Sequence, residues 1–295
     1  MSIKFKHYNP NKDYNKVSNF LKRTFHDYYH IENWMEPRWE YMNYHPYINN
    51  FDISKIGLWE DGDQIVGVVH PEHALGVVYF QVDPEYQYLT KEMLEYAKNN
   101  LFRIKETHKE IIVYANEYQK KLIEILVNNN FKKIDGYSES MSIFEMPENF
   151  DINIPEGFKI KSLEKDNNLK KIDRVLWRGF NHKGEPEYNI ESRKFMQSAP
   201  NFRKDLNIVI EAPDGNFVSY SGIFYEKENN YSYVEPVATD PDYRRMGLGR
   251  AAVLECIRRT KVMGAKYAYV GSSMDFYLSF GFKPIYKLYA YKKSL

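Results

Sequence analysis

Residues 231–254 read YSYVEPVATDPDYRRMGLGRAAVL. A β-branched and aromatic run ends at Thr239, a basic loop with two glycines follows, and an apolar-periodic segment opens directly behind it. The first amides of a helix have no partner within the helix, and the helix dipole is positive at that end. A loop that delivers a chain into such a terminus is therefore suited to hold phosphate. Gly247 and Gly249 remove side chains where a backbone must come close to a pyrophosphate, and they permit positive φ. Arg244, Arg245 and Arg250 add positive charge beside them.

Two other glycine-loop chemistries are weighed against this one. A nucleoside-triphosphate P-loop requires Gly-Lys-Ser/Thr, whereas Gly249 is followed by Arg250-Ala251. The run Gly247-Leu-Gly-Arg-Ala-Ala252 fits a relaxed dinucleotide fingerprint. That fingerprint belongs at the first strand of a parallel sheet of several βα units, and too little chain follows to build one.

The elements that must position this loop follow from hydrophobic periodicity and turn residues. In the second half, 158–163 reads as a strand, 166–180 and 189–198 as helices, and 206–211 with 217–225 as a hairpin about Pro213-Asp214-Gly215-Asn216. Then come strand 231–239, helix 251–263 ending at Gly264, strand 266–270, a short helix over 274–280 and a closing strand over 282–291. The first half repeats this order: strand 3–8, helices 11–25 and 34–43, hairpin 56–69, strand 75–82, helix 90–102, strand 110–114, helix 117–128 and a strand from Phe131. Two anchors tie the halves together. Asp83-Pro84-Glu85-Tyr86 matches Asp240-Pro241-Asp242-Tyr243, and Phe131-Lys-Lys-Ile134 matches Phe282-Lys-Pro-Ile285. The period is too long for a solenoid and marks a tandem duplication. The expected domains are 1–148 and 149–295, with the joint in the polar, proline-containing stretch 146–151.

The loop Arg244-Arg-Met-Gly-Leu-Gly249, its lead-in Val237–Tyr243, and the later Phe276-Tyr-Leu-Ser-Phe-Gly-Phe282 resemble the GCN5-related N-acetyltransferase (GNAT) family. That family carries Gln/Arg-x-x-Gly-x-Gly/Ala after a strand, and a Tyr on a short helix before Gly-Phe. The resemblance is most specific over 234–254. It implies an α+β fold of two tandem GNAT-like domains, each a mixed, mostly antiparallel sheet flanked by helices. It further implies that the amides of Arg245, Met246, Gly247, Leu248, Gly249 and Arg250 hold the pyrophosphate of acetyl-CoA, the co-substrate. Pantetheine would lie along Val237, Ala238 and Thr239 where two strands splay, with the Val237 amide polarising the thioester carbonyl. An amine acceptor must be neutral to attack, so a base is needed. Glu235 is the candidate, and a buried carboxylate there would have a raised pKa. Tyr277 is the candidate acid for the leaving thiolate. Direct attack in a ternary complex needs neither a metal nor a covalent enzyme intermediate. A non-catalytic acyl-CoA-binding or scaffold protein is the alternative. The survival of Arg244, Gly247, Gly249 and Tyr277 weighs against it.

The first copy has lost both motifs. Counting on from Asp83, the loop positions are Gln87-Tyr88-Leu89-Thr90-Lys91-Glu92, with no glycine and with a carboxylate where a pyrophosphate would sit. The Tyr277 position is Leu126. This copy is expected to bind no CoA. Its His70-Pro71-Glu72-His73 lacks further ligands for a metal and reads as a surface loop. Trp34, Trp39, Tyr41, Tyr44 and Tyr47 read as packing residues, with an acceptor-stacking wall as the alternative. Trp177, Phe180, His182 and Glu185 are candidates for the acceptor pocket.

The bulk properties narrow the partners. A formal net charge of +1 gives no basic face for nucleic acid. No apolar stretch is long enough to span a membrane, and the N-terminus lacks the apolar segment of a signal peptide. The lone Cys256 cannot form an intrachain disulfide and sits on an apolar helix face, so a buried, inert thiol in the cytoplasm is expected. The expected partner is a small-molecule or peptide amine.

Overall fold

The computed structural model describes residues 2–46, 51–186 and 188–295. These form two compact units: unit 1 takes residues 2–43, 51–140 and 285–295, and unit 2 takes 44–46 and 141–284. The first run of elements is β1 (Ile3–His7), α1 (Pro10–Arg23), α2 (Glu36–Tyr44), β2 (Gly57–Asp61), β3 (Gln64–Pro71), β4 (Val77–Val82), α3 (Thr90–Asn100), β5 (Arg103–Lys105), β6 (His108–Asn116), α4 (Lys120–Asn128) and β7 (Lys132–Glu145). The second is β8 (Lys159–Ser162), α5 (Leu169–Gly179), α6 (Ile190–Met196), β9 (Ile208–Glu211), β10 (Phe217–Glu226), β11 (Tyr231–Thr239), α7 (Leu248–Val262), β12 (Tyr267–Val270), α8 (Asp275–Leu278) and β13 (Lys283–Ser294). The elements expected from sequence are present. The short β5 and the full length of β7 were not foreseen.

Each unit builds the same sheet. In unit 1 the order is β1-β2-β3-β4-β6-β13, with β5 on β6, antiparallel except for β4 beside β6. In unit 2 it is β8-β9-β10-β11-β12-β7, antiparallel except for β11 beside β12. The last strand of each is exchanged. Leu288–Ser294 of β13 pair with β6 of unit 1, and Ser142–Glu145 of β7 pair with β12 of unit 2. The compact units therefore depart from a single division at 148/149. Alternating apolar residues make a strand but do not say which sheet edge its backbone will satisfy.

Unit 2 shows how period-2 patterning builds two layers. On β9, Ile208 and Ile210 face a core with Leu248, Ala252, Val253, Cys256 and Ile257 of α7, while Val209 faces Ile172, Val175 and Leu176 of α5. The sheet lies between α5 and α7, and the chain passes into α7 from the end of β11, an inner strand between β10 and β12. Among the described residues, no helix is long and apolar enough to cross a membrane.

Candidate active site

β11 pairs with β12 only at Tyr231, Ser232 and Tyr233. Residues 234–239 run on to the end of the strand with no strand partner on that side among the described residues, while on the other side β10 continues to Thr239. Six positions of strand edge thus lack a strand partner among the described residues, and the last of them, Thr239, accepts from Arg244 Nε at 3.3 Å through its carbonyl. The pairing with β10 is interrupted between Ser221 and Ile223, where Gly222 alone stands opposite Glu235 and Pro236. A Cβ on Gly222 would lie 2.5 Å from the Glu235 carbonyl oxygen, so the bulge requires glycine there. The bulge also shifts the alternation, so that Val234 and Val237 both pack on the α7 side.

The chain leaves β11 through a turn that Asp240 caps, accepting a hydrogen bond from the Asp242 amide at 3.2 Å. Asp240 is fully buried and is held by Arg178 Nε at 2.6 Å and Arg174 Nη1 at 3.2 Å, both from α5. Burial disfavours its charge, yet the Arg178 hydrogen bond and the neighbouring guanidinium groups hold its carboxyl below the usual range. Arg245 then takes positive φ (64°), as does Gly247 (80°), and α7 starts at Leu248 with no side chain capping it. The first amides of α7 are left for another acceptor.

The two glycines serve different ends. Around Gly247 a Cβ would meet nothing within 4 Å, so its left-handed backbone, with open space beside it, is what selects glycine. At Gly249 a Cβ would come within 2.9 Å of Thr239 Oγ1 and 3.2 Å of the Phe276 ring. That glycine permits close packing of helix on strand, a reason the sequence did not show. Arg244 to Gly247 are exposed, and Leu248 and Gly249 are buried. Arg250 is engaged with Asp151 at 3.2 Å, and the Arg244 guanidinium donates to the Gly179 carbonyl and the Asn181 side chain, both at 2.9 Å.

Tyr277 lies on α8, nearly buried among Phe276, Phe280 and Phe282. Burial, and then the charge of Glu235, push its hydroxyl well above the ordinary phenol value. Glu235 lies 42 positions away in sequence, and its charge adds to the rise that burial causes. Glu235 is half-buried.

Unit 1 has the same frame with its gap filled. β4 runs only three residues, 80–82, past its last pairing with β6. The Asn33 carboxamide donates to the Val82 carbonyl (3.0 Å) and accepts from the Val82 amide (2.8 Å), and Gln119 Nε2 donates to the Phe80 carbonyl (2.8 Å). Asp83 caps its turn as Asp240 does, and Arg23 of α1 binds it at 3.0 Å. The loop is missing, however. A 3-10 turn over Pro84–Leu89 leads straight into α3, and the Thr90 amide already donates to the Gln87 carbonyl. Glu92 accepts from Trp59 Nε1 at 2.8 Å, and Leu126 is fully buried.

His70 is not on a surface loop, as the polar tetrapeptide suggested. β3 carries it into the core of unit 1, fully buried between Trp34, Trp39 and Tyr79. Desolvation lowers its pKa to about 4. His73 is exposed, and Glu72 is held by Arg38 at 2.7 Å. Trp34 and Trp39 are core residues of unit 1, Tyr44 lies against Phe195 in unit 2, and Tyr47 is outside the described residues. The rings of Trp177, in the last turn of α5, and His182, beyond its end, lie 4.7 Å apart at a tilt of 31°, and Phe180 and Glu185 are exposed near them. Cys256 is buried, its thiol pushed up to about 12 by desolvation. Sequence reasoning missed Gly222, Arg174, Arg178 and Phe276. The Asp-Pro anchor present in both copies was the available signal for the arginines.

Residues 169–282 match the acetyltransferase (GNAT) family. No curated protein shows a significant sequence match. Among solved structures, a tandem GNAT protein from the clavulanic acid biosynthesis pathway is similar over 99% of this chain and 98% of its own, with a TM-score of 0.66 and 10% identity. A GCN5-related N-acetyltransferase from Sphaerobacter thermophilus is similar over 99% and 95%, with a TM-score of 0.61 and 11% identity. N-myristoyltransferase from Saccharomyces cerevisiae is similar over 99% and 80%, with a TM-score of 0.55 and 11% identity. At these identities the structural likeness speaks for the fold. The chain thus carries an acetyltransferase (GNAT) family domain at 169–282, within a fold that a tandem GNAT protein shares along its length.

Proposed function

We propose that unit 2 is an acyl-CoA-dependent N-acetyltransferase that moves an acetyl group from acetyl-CoA to a primary amine of a small molecule or peptide. The observation that carries this is the six-residue stretch of β11, 234–239, which has no strand partner beyond Tyr233 among the described residues, followed by the loop that leads to the uncapped start of α7. Extended pantetheine can add to such an edge as a further strand, along Val237, Ala238 and Thr239, and the amides from Arg245 to Arg250 suit the pyrophosphate. The Val237 amide is the candidate donor to the thioester carbonyl.

The reaction balances within the site. The neutral amine attacks the carbonyl carbon, a C–N bond forms, the C–S bond breaks, and the amine gives up a proton to Glu235, directly or through water. A hydroxyl with a raised pKa remains protonated at neutral pH, so Tyr277 is available as a donor to the departing thiolate. Its value lies above that of a free thiol, so complete transfer is uphill and Tyr277 acts best by hydrogen bonding while the amine's proton closes the balance. Unit 1 serves as a structural copy and binds no CoA.

Thermal unfolding with and without acetyl-CoA tests the assignment. At about 100 times the dissociation constant, the ligand adds roughly 2.7 kcal/mol to the native state. The shift should persist in Gly247→Asn, which tolerates left-handed backbone, and vanish in Gly247→Glu. A folded wild-type protein that shows no shift would refute the assignment.

A further inference from the structure

We infer that Arg244 is a positioning residue, a strut that fixes the cofactor loop to the end of α5, and not a phosphate ligand. This rests on the proposed CoA site. The Arg244 Nη2 donates to the Gly179 carbonyl and to Asn181 Oδ1, both at 2.9 Å, and Nε donates to the Thr239 carbonyl at 3.3 Å. A guanidinium grips a phosphate bidentately through two neighbouring nitrogens, either Nε with Nη2 or Nη1 with Nη2. Nη2 belongs to both pairs, and its two N–H groups are already given to Gly179 and Asn181. None of the three acceptors is a carboxylate.

The acceptors are the points that need tying. Gly179 ends α5, where helix carbonyls lack partners and a cation is favoured. Asn181 has positive φ (60°), and Thr239 ends β11. A Cβ on Gly179 would lie 2.6 Å from Ala238 Cβ and 3.0 Å from the Thr239 nitrogen, so the end of α5 rests on the end of β11 with no room for adjustment. Arg244 bridges both to the loop whose next residue, Arg245, holds positive φ. Through this strut, ordering of the loop by CoA also orders residues 180–186, beside Trp177 and His182.

Two measurements on the full chain decide this. Hydrogen exchange without ligand should be faster at 178–184 in Arg244→Gln than in wild type, and equal rates would overturn the strut. Calorimetric titration with CoA should show Arg244→Lys and Arg244→Gln weakened alike, each by about tenfold, roughly the worth of one lost charge-assisted hydrogen bond. The salt dependence should stay that of wild type, and Asn181→Ala should add little once Arg244 is gone. A Lys variant that binds like wild type, with a shallower salt slope in the Gln variant, would make Arg244 a phosphate-facing charge and sink the inference. If wild type binds no CoA, the proposed function fails, while the exchange comparison still decides the strut.

Discussion

Up to the Asp-Pro turn, the two copies do the same thing. Asp83 and Asp240 each cap a turn and each take an arginine from the first helix of their copy, Arg23 and Arg178. One residue beyond the shared tyrosine they part. The chain after Tyr86 stays in a 3-10 turn that feeds α3, and the amide at its start is used internally. The chain after Tyr243 opens into a loop with two left-handed residues and delivers α7 with its first amides uncapped. The strand edges differ in step: three residues beyond the pairing in β4, filled by Asn33 and Gln119, and six in β11, with no strand partner among the described residues. The Asp-Pro anchor is thus scaffold, common to both copies. On the proposed function, ligand capacity is set by the loop residues after the anchor and by whether side chains occupy the splay.

The largest effect expected from testing this contrast is on turnover. Tyr277→Phe should lower acetyl transfer by about a hundredfold or more with CoA affinity unchanged. Release of free thiol from acetyl-CoA across an amine panel would check this, and an unaltered rate would remove Tyr277 from the chemistry. Its counterpart Leu126 contributes only packing.

Next in size is acid sensitivity confined to the filled copy. Gln81 Nε2 donates to His70 Nε2 at 3.0 Å, which requires a neutral ring, and Gln81 Oε1 accepts from the Trp34 amide at 2.7 Å. The folded pKa of about 4 lies below the ordinary 6.5, so the unfolded chain binds the proton first. Stability from this site is complete above about pH 6.5 and is lost as pH falls toward 4, by about 3 kcal/mol in total. Urea unfolding at pH 7 and pH 4.5 should show this loss in wild type and much less of it in His70→Gln.

The shared anchor should respond unequally. Asp240→Ala leaves two partly buried arginines facing a vacated site and should cost about 2–4 kcal/mol. Asp83→Ala loses a cap and a more exposed partner and should cost about 1 kcal/mol. Equal losses in denaturant midpoint would mean that the α5 pair adds nothing. Asn33→Ala falls between the two. Unpairing the Val82 amide and carbonyl should cost about 1–3 kcal/mol, the lower end if water enters. If the variant instead bound a second equivalent of CoA by calorimetry, the missing loop would not matter and the contrast between the copies would fail.

The glycine loop, the anchors and the element order were legible because they are local: turn chemistry, periodicity of 2 or 3.6, and a strand running into a helix. The reason for Gly249 was not, since Phe276 reaches it from a segment 27 positions away. The filling of the unit 1 gap was hidden for a like cause. Asn33 and Gln119 are ordinary polar residues until the fold sets them against Val82 and Phe80. His70 was misread because a polar tetrapeptide resembles a loop, although Trp34, Trp39 and Tyr79 enclose its first residue.

The exchange of last strands also bears on synthesis. A ribosome makes most of unit 1 first, yet the strand that covers β6 arrives only with residues 288–294, after the whole of unit 2. Unit 2 holds its own final strand, 142–145, before the rest of its sheet exists. The order in which the two sheets can be completed therefore runs against the usual one, in which the N-terminal domain folds before its successor. The copy translated first waits longest, its β6 edge open to any passing strand until its successor has been made.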